Sequence, residues 1–145
     1  MVICNELVVE PVPIIVEDIP DDSRLDLKNL CIIISKSKIL DKTEALKCII
    51  HEYRHIYQIT TVMGGVNIHP LFNLWKENIN TLFHPEYVNN MDEVNAYMAQ
   101  PLEIDAFAYT KFFFRNYLNQ ELICFSEDTE AMLDEYIDRY LVYGM

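Results

Sequence analysis

Up to Ser35 the apolar residues come in short β-branched runs: Val8-Val9, Ile14-Ile15-Val16, and Leu30-Cys31-Ile32-Ile33-Ile34. Runs of this kind predict strands. The last is continuous and rich in isoleucine, so it is predicted to be buried on both faces. Pro11 and Pro13 lack the amide donor that an interior strand needs, which makes the earlier runs edge strands or extended loops. Pro20-Asp21-Asp22-Ser23 reads as a turn.

After Leu40 the period changes. Leu46, Ile49, Ile50, Tyr53, Ile56 and Tyr57 form a helical stripe within a segment predicted as helix from Asp41 to about Thr61. Asp41 and Glu44 have the spacing of a capping box, with Thr43 as the rival N-cap. His51 and His55 lie on the flank of the stripe together with Cys48 and Gln58, so the helix is expected to be covered on more than one side. Gly64-Gly65 ends it.

A second helix is predicted over Leu71 to Phe83, where Leu71, Leu74, Trp75 and Ile79 recur at roughly helical spacing. His84-Pro85 stops it, and Asn89-Asn90 is a turn. Met91 to Met98 reads as a short helix. Pro101 suits the first position of another, which runs to about Leu118. On that helix Lys111 and Arg115 mark the wet side, and Glu103, Ala106, Phe107, Thr110 and Phe114 share the other. Ser126 caps a final acidic amphipathic helix, Glu127 to Tyr143. The expected fold is α+β and mostly helical, with a small N-terminal sheet packed on a helical body. Its central pair is the helix from Asp41 and the helix from Pro101, all in one domain spanning 1–145.

Composition narrows the function. A chain of 145 residues that is 51% hydrophobic can bury a core and is not disordered. A net charge of −12, without any Lys/Arg run, argues against broad nucleic-acid binding. No stretch approaches the ~20 apolar residues of a membrane span, and no signal peptide is recognisable. Cys4, Cys31, Cys48 and Cys124 show no C-x-x-C spacing, and read as reduced, buried small hydrophobes. The expectation is a soluble, cytoplasmic protein.

The chemistry is concentrated in His51-Glu52-Tyr53-Arg54-His55, an H-E-x-x-H sequence on the first long helix. Residues four apart project from one helix face, so two imidazoles can bind one Zn²⁺. Glu52 lies about 100° round the helix, beside the metal rather than on it, where it could take a proton from metal-bound water. A catalytic zinc usually has three protein ligands. Glu103, in the first turn of the Pro101 helix with small Ala106 one turn on, is the third candidate, and Glu93 and Asp105 are its rivals. His69 and His84 each precede proline; they read as loop residues, or else as a fourth ligand or oxyanion stabiliser. Tyr97 and Tyr109 are candidate oxyanion stabilisers. Arg54 reads as a surface or helix-pairing residue.

His51-Glu52-x-x-His55 followed by the Glu103-x-x-Ala106 helix resembles the gluzincin metallopeptidases, and within them the small intracellular minigluzincins and the repressor-cleaving ImmA/IrrE-type proteins. The resemblance covers roughly Leu30 to Leu118 in layout. It implies zinc held by His51, His55 and Glu103, and peptide hydrolysis with Glu52 as general base and acid. It also implies that a strand beside the cleft, here matched to Leu30–Ile34, binds substrate backbone. The chain departs from the pattern at Phe107, where many members carry an aspartate that orients a ligand histidine. The alternatives are a non-catalytic protein-binding domain of the same fold with a structural or vestigial zinc, and a helical interaction module without metal.

Overall fold

The isoleucine run forms the middle of a three-stranded sheet. In the computed structural model, which describes residues 2–7, 9–65, 67–82, 91–122 and 126–141, strand β1 is Ile14–Glu17, β2 is Ser23–Asp26 and β3 is Cys31–Ser35. The sheet order is β1-β3-β2. β1 runs parallel to β3, with Ile14 opposite Ile32, and β2 runs antiparallel, with Ser23 opposite Ile34. β3 is buried along its whole length, as its continuous apolar run predicts. β1 is an exposed edge strand, consistent with the prolines that precede it.

Two strand expectations are corrected. Val9, read as part of a strand, is not in one: a short helix α1, Val2–Leu7, comes first, and the Val9 amide closes on the Cys4 carbonyl at 3.0 Å. Val8 itself lies outside the described residues. β2, in contrast, carries no strand signal, since its sequence is Ser-Arg-Leu-Asp. It is extended because β3 offers it a ladder of backbone partners, and pairing overrides propensity. Asp26 then organises the turn back to β3. One carboxylate oxygen accepts from the amides of Lys28 and Asn29 at 3.0 and 3.1 Å.

A four-residue helix α2, Lys36–Ile39, leads to the long helix α3, Lys42–Met63. Asp41, not Thr43, caps α3: its carboxylate accepts from the amides of Thr43 and Glu44 at 2.8 and 3.0 Å. The Glu44 side chain does not return the bond; it pairs with Lys38 and Lys47. Gly64 and Gly65 end α3, with Gly65 at a φ of 70° that a side chain would strain.

Helices α4, Phe72–Thr81, α5, Met91–Met98, α6, Pro101–Tyr117, and α7, Glu127–Tyr136, follow, the last continuing as a π-helical turn over Ile137–Leu141. Pro101 occupies the first turn of α6, and Ser126 caps α7 by accepting from the Thr129 amide. The expected turns at His84-Pro85 and Asn89-Asn90 lie outside the described residues. The fold is therefore α+β and mostly helical, with a small N-terminal sheet.

The chain forms two compact units, Met1–Tyr57 and Gln58–Met145, whose boundary falls inside α3. In the first, Ile32, Ile34, Ile50 and Tyr53 are among the most deeply buried side chains. The Tyr53 hydroxyl, which accepts from the Val12 amide at 3.0 Å, ties the segment before β1 to α3. Cys4, Cys31 and Cys48 are free and buried, as read from the sequence, and Cys124 lies outside the described residues. In the second unit Trp75, Tyr109, Phe114, Leu133 and Ile137 form the interior. Lys111, expected on the wet side of α6, is buried. Its side chain is only 7% exposed and pairs with Glu130 and with Asp134 on α7. Arg115 pairs with Glu121 and Asp134. The acidic α7 is the reason: it neutralises cations that alternation alone assigns to solvent. Among the described residues no helix is long and apolar enough to cross a membrane.

Candidate metal site

His51 and His55 project from one face of α3 and are both half-buried. Their rings meet edge to face, with centroids 4.6 Å apart. The two Nε2 atoms lie 3.0 Å apart. Ligand nitrogens about 2.0–2.1 Å from a tetrahedral zinc are separated by roughly 3.3 Å. The histidine pair is therefore already close to the spacing that coordination requires, provided that both Nε2 atoms are unprotonated.

Glu52 is on a different face of the same helix and is 5% exposed. Its Oε1 accepts a hydrogen bond from the Ser23 hydroxyl on β2 at 2.7 Å. Cys48, one turn earlier, lies in the same region; burial pushes its thiol pKa up, opposed by a hydrogen bond with Ser23. The sheet thus fixes the direction of the Glu52 carboxylate. Ser23 carries no motif, and only the pairing of β2 with β3 brings it to Glu52.

Glu103 sits in the first turn of α6 and is 1% exposed. That turn is held by side chains from elsewhere. The Leu102 amide donates to Asn78 Oδ1 at 3.0 Å, and the Leu102 carbonyl accepts from Gln58 Nε2 at 2.9 Å. The same Gln58 nitrogen donates to Asp105 Oδ2 at 2.7 Å, and Asp105 Oδ1 accepts from the Tyr136 hydroxyl at 3.0 Å. Asp105 is thus committed to Gln58 and Tyr136, which removes it as a rival ligand. Gln58 was visible in the sequence only as a polar residue on the histidine flank of α3.

Among the described residues, one group of side chains has the make-up of a metal site. His51, His55 and Glu103 each offer a ligand atom, and these atoms all lie within 4.8 Å of one another. Two imidazole nitrogens and one carboxylate oxygen form a donor set suited to zinc, and three protein ligands leave a coordination position for water or substrate. The residues present therefore fit a zinc ion.

The other described candidates lie on α3, α5, α6 and in the turn before α4. Glu93 is half-buried on α5 and is not in the group. His69 Nδ1 accepts from the Leu71 amide at 3.1 Å and its ring stacks on Trp75, the part of a loop residue that starts a helix. His84 lies outside the described residues. Tyr97 is half-buried on α5, and Tyr109 is fully buried against Phe112 and Phe113. Arg54 is not a surface residue: it is 2% exposed, with its guanidinium 4.6 Å from the centre of the Tyr57 ring. No protein-family model matches the chain, and no significant match is found among curated proteins or among solved structures.

Proposed function

We propose that this chain is a zinc-dependent metallopeptidase of the gluzincin kind, with His51, His55 and Glu103 as metal ligands and Glu52 as general base. One observation carries the reading: the histidines of the H-E-x-x-H sequence and a glutamate from a separate helix offer three donor atoms within 4.8 Å of one another. Bound zinc would supply a Lewis acid that brings the pKa of water toward ~7. Glu52 then takes the proton of the attacking water and returns it to the leaving amine. Its near-complete burial and its bond to Ser23 support that role by holding one carboxylate oxygen and leaving the other for proton transfer.

The substrate in this proposal is an extended segment of an intracellular protein or peptide. Both edges of β3 are taken by β1 and β2, so the strand expected from the resemblance to bind substrate backbone cannot do so. β2 has no strand partner on its outer edge among the described residues, and its Ser23 touches the general base. That edge is where a substrate strand would add. The free cysteines Cys4, Cys31 and Cys48 support a reducing, cytoplasmic setting.

Elemental analysis of protein purified without added metal tests the reading. About one zinc per chain is expected, absent in His55→Ala and held more weakly in Glu103→Ala. Protein that takes up no zinc even after loading would sink it. Glu52→Gln should keep zinc and lose turnover; retained turnover would exclude Glu52 as the base.

A further inference from the structure

Gln58 stands on α3 three residues beyond His55 and seven beyond His51. At about 100° per residue the three side chains lie within about 60° of one another on the helix surface. Gln58 is 0% exposed. Its side-chain nitrogen makes two bonds into the first turn of α6, to the Leu102 carbonyl at 2.9 Å and to Asp105 Oδ2 at 2.7 Å. These acceptors straddle Glu103 in the sequence. Both amide protons are used, so the side chain cannot turn without breaking a buried bond. The Asp105 carboxylate is held from its other oxygen by Tyr136, and Leu102 is held at its amide by Asn78.

We infer that Gln58 is a positioning residue for the metal site. It locks the turn of α6 that carries Glu103 to the helix that carries both histidines, and so sets the third ligand. This inference rests on the zinc reading above. The chain lacks an aspartate at Phe107, and Gln58 supplies order by a different route: it fixes the backbone beneath the carboxylate ligand and leaves the imidazoles alone. A glutamine suits the task because its amide gives two donors without bringing a charge beside the buried Asp105. Gln58→Glu would put two carboxylates together there. Gln58→Met keeps the length and removes both donors.

Zinc affinity of the full chain, read by competition with a chromophoric chelator, tests this in a double-mutant cycle with Glu103→Ala. Gln58→Met is expected to weaken zinc binding about tenfold to hundredfold in the otherwise unaltered chain, the range for supporting groups of a metal site. In the Glu103→Ala background it should change affinity by less than about twofold. Gln58→Asn, too short to reach both acceptors, is measured beside it with the same expectation, so that an unfolded Met variant does not end the test. The Co²⁺-loaded Gln58 variant should also give the absorption spectrum of Glu103→Ala. Equal losses in both backgrounds, or no loss in either, would overturn the inference. A lack of zinc binding by the unaltered chain would show instead that the zinc reading had failed, and the inference with it.

Discussion

The Ser23 hydroxyl donates to Glu52 Oε1 across 2.7 Å, joining an edge strand to the second residue of the H-E-x-x-H sequence. On the peptidase proposal that bond, worth about 0.5–3 kcal/mol depending on the charge of the acceptor, fixes which carboxylate oxygen is left for proton transfer. Ser23→Ala should therefore leave zinc content unchanged and lower kcat by about tenfold, the equivalent of about 1.4 kcal/mol. Ser23→Thr keeps the hydroxyl and should recover most of it. Steady-state kinetics of peptide cleavage checks this. A change confined to KM would assign Ser23 to substrate binding instead.

Metal removal gives a readout that needs no substrate. Zinc held as proposed by His51, His55 and Glu103 would bind only the folded chain and so stabilise it by mass action. At free zinc one hundred times its Kd the gain is about 2.7 kcal/mol. Scanning calorimetry should show a lower Tm after chelation, full recovery on adding zinc, and no response in His51→Ala.

The buried cation of α6 offers a test of stability alone. Lys111 pairs with Glu130 and Asp134 while its side chain is only 7% exposed. Removing one partner of a buried ion pair strands the other, at about 3–5 kcal/mol. Lys111→Ala should fall toward the lower end of that range, since Asp134 keeps Arg115 and is half open to solvent. Urea unfolding measures it. A change below about 0.5 kcal/mol would place the lysine with ordinary surface residues.

The same network sets a pH window. Burial pushes the Asp134 carboxyl pKa up, but hydrogen bonds from Arg115 and Lys111 outweigh it and hold the group below its usual value. Its stabilisation is present above the unfolded pKa of about 3.9 and is lost as pH falls through the lower folded value. Lys111 behaves oppositely. Burial lowers its pKa, yet Glu130 and Asp134 win and raise it. Its contribution is present below about 10.4 and is lost as pH rises through the folded value. Unfolding followed across pH should show both limbs, and Asp134→Asn should flatten the acid one.

Asp41 caps α3 through two backbone amides. Asp41→Ala should destabilise the chain by about 1 kcal/mol and Asp41→Asn by much less, as chemical denaturation will report. Thr43→Ala should do little, because Thr43 is not the cap.

The local signals were sufficient for most of the helices. The stripe from Leu46 to Tyr57, the glycine pair after Met63, Pro101 at the start of α6 and Ser126 before α7 each specify an element through short-range physics: period, capping and fixed φ. The isoleucine run likewise determines a buried central strand. The H-E-x-x-H spacing alone determines that two imidazoles and a carboxylate share α3, because helix geometry leaves no other arrangement. Glu103 was legible as a helix-borne carboxylate, but so were its rivals, and only the bonds from Gln58 and Tyr136 take Asp105 out of contention.

What the tertiary structure alone decided is of another kind. β2 is a strand because β3 needs a partner, so Ser23 reaches Glu52 although nothing in Ser-Arg-Leu-Asp announces it. Lys111 is buried because an acidic helix far along the chain meets it. Gln58 matters because two acceptors from α6 converge on its amide. In each case a polar side chain is assigned by partners distant in sequence. Amphipathic period records which residues are apolar, and it carries no information on which polar groups will find a donor or an acceptor once water is excluded.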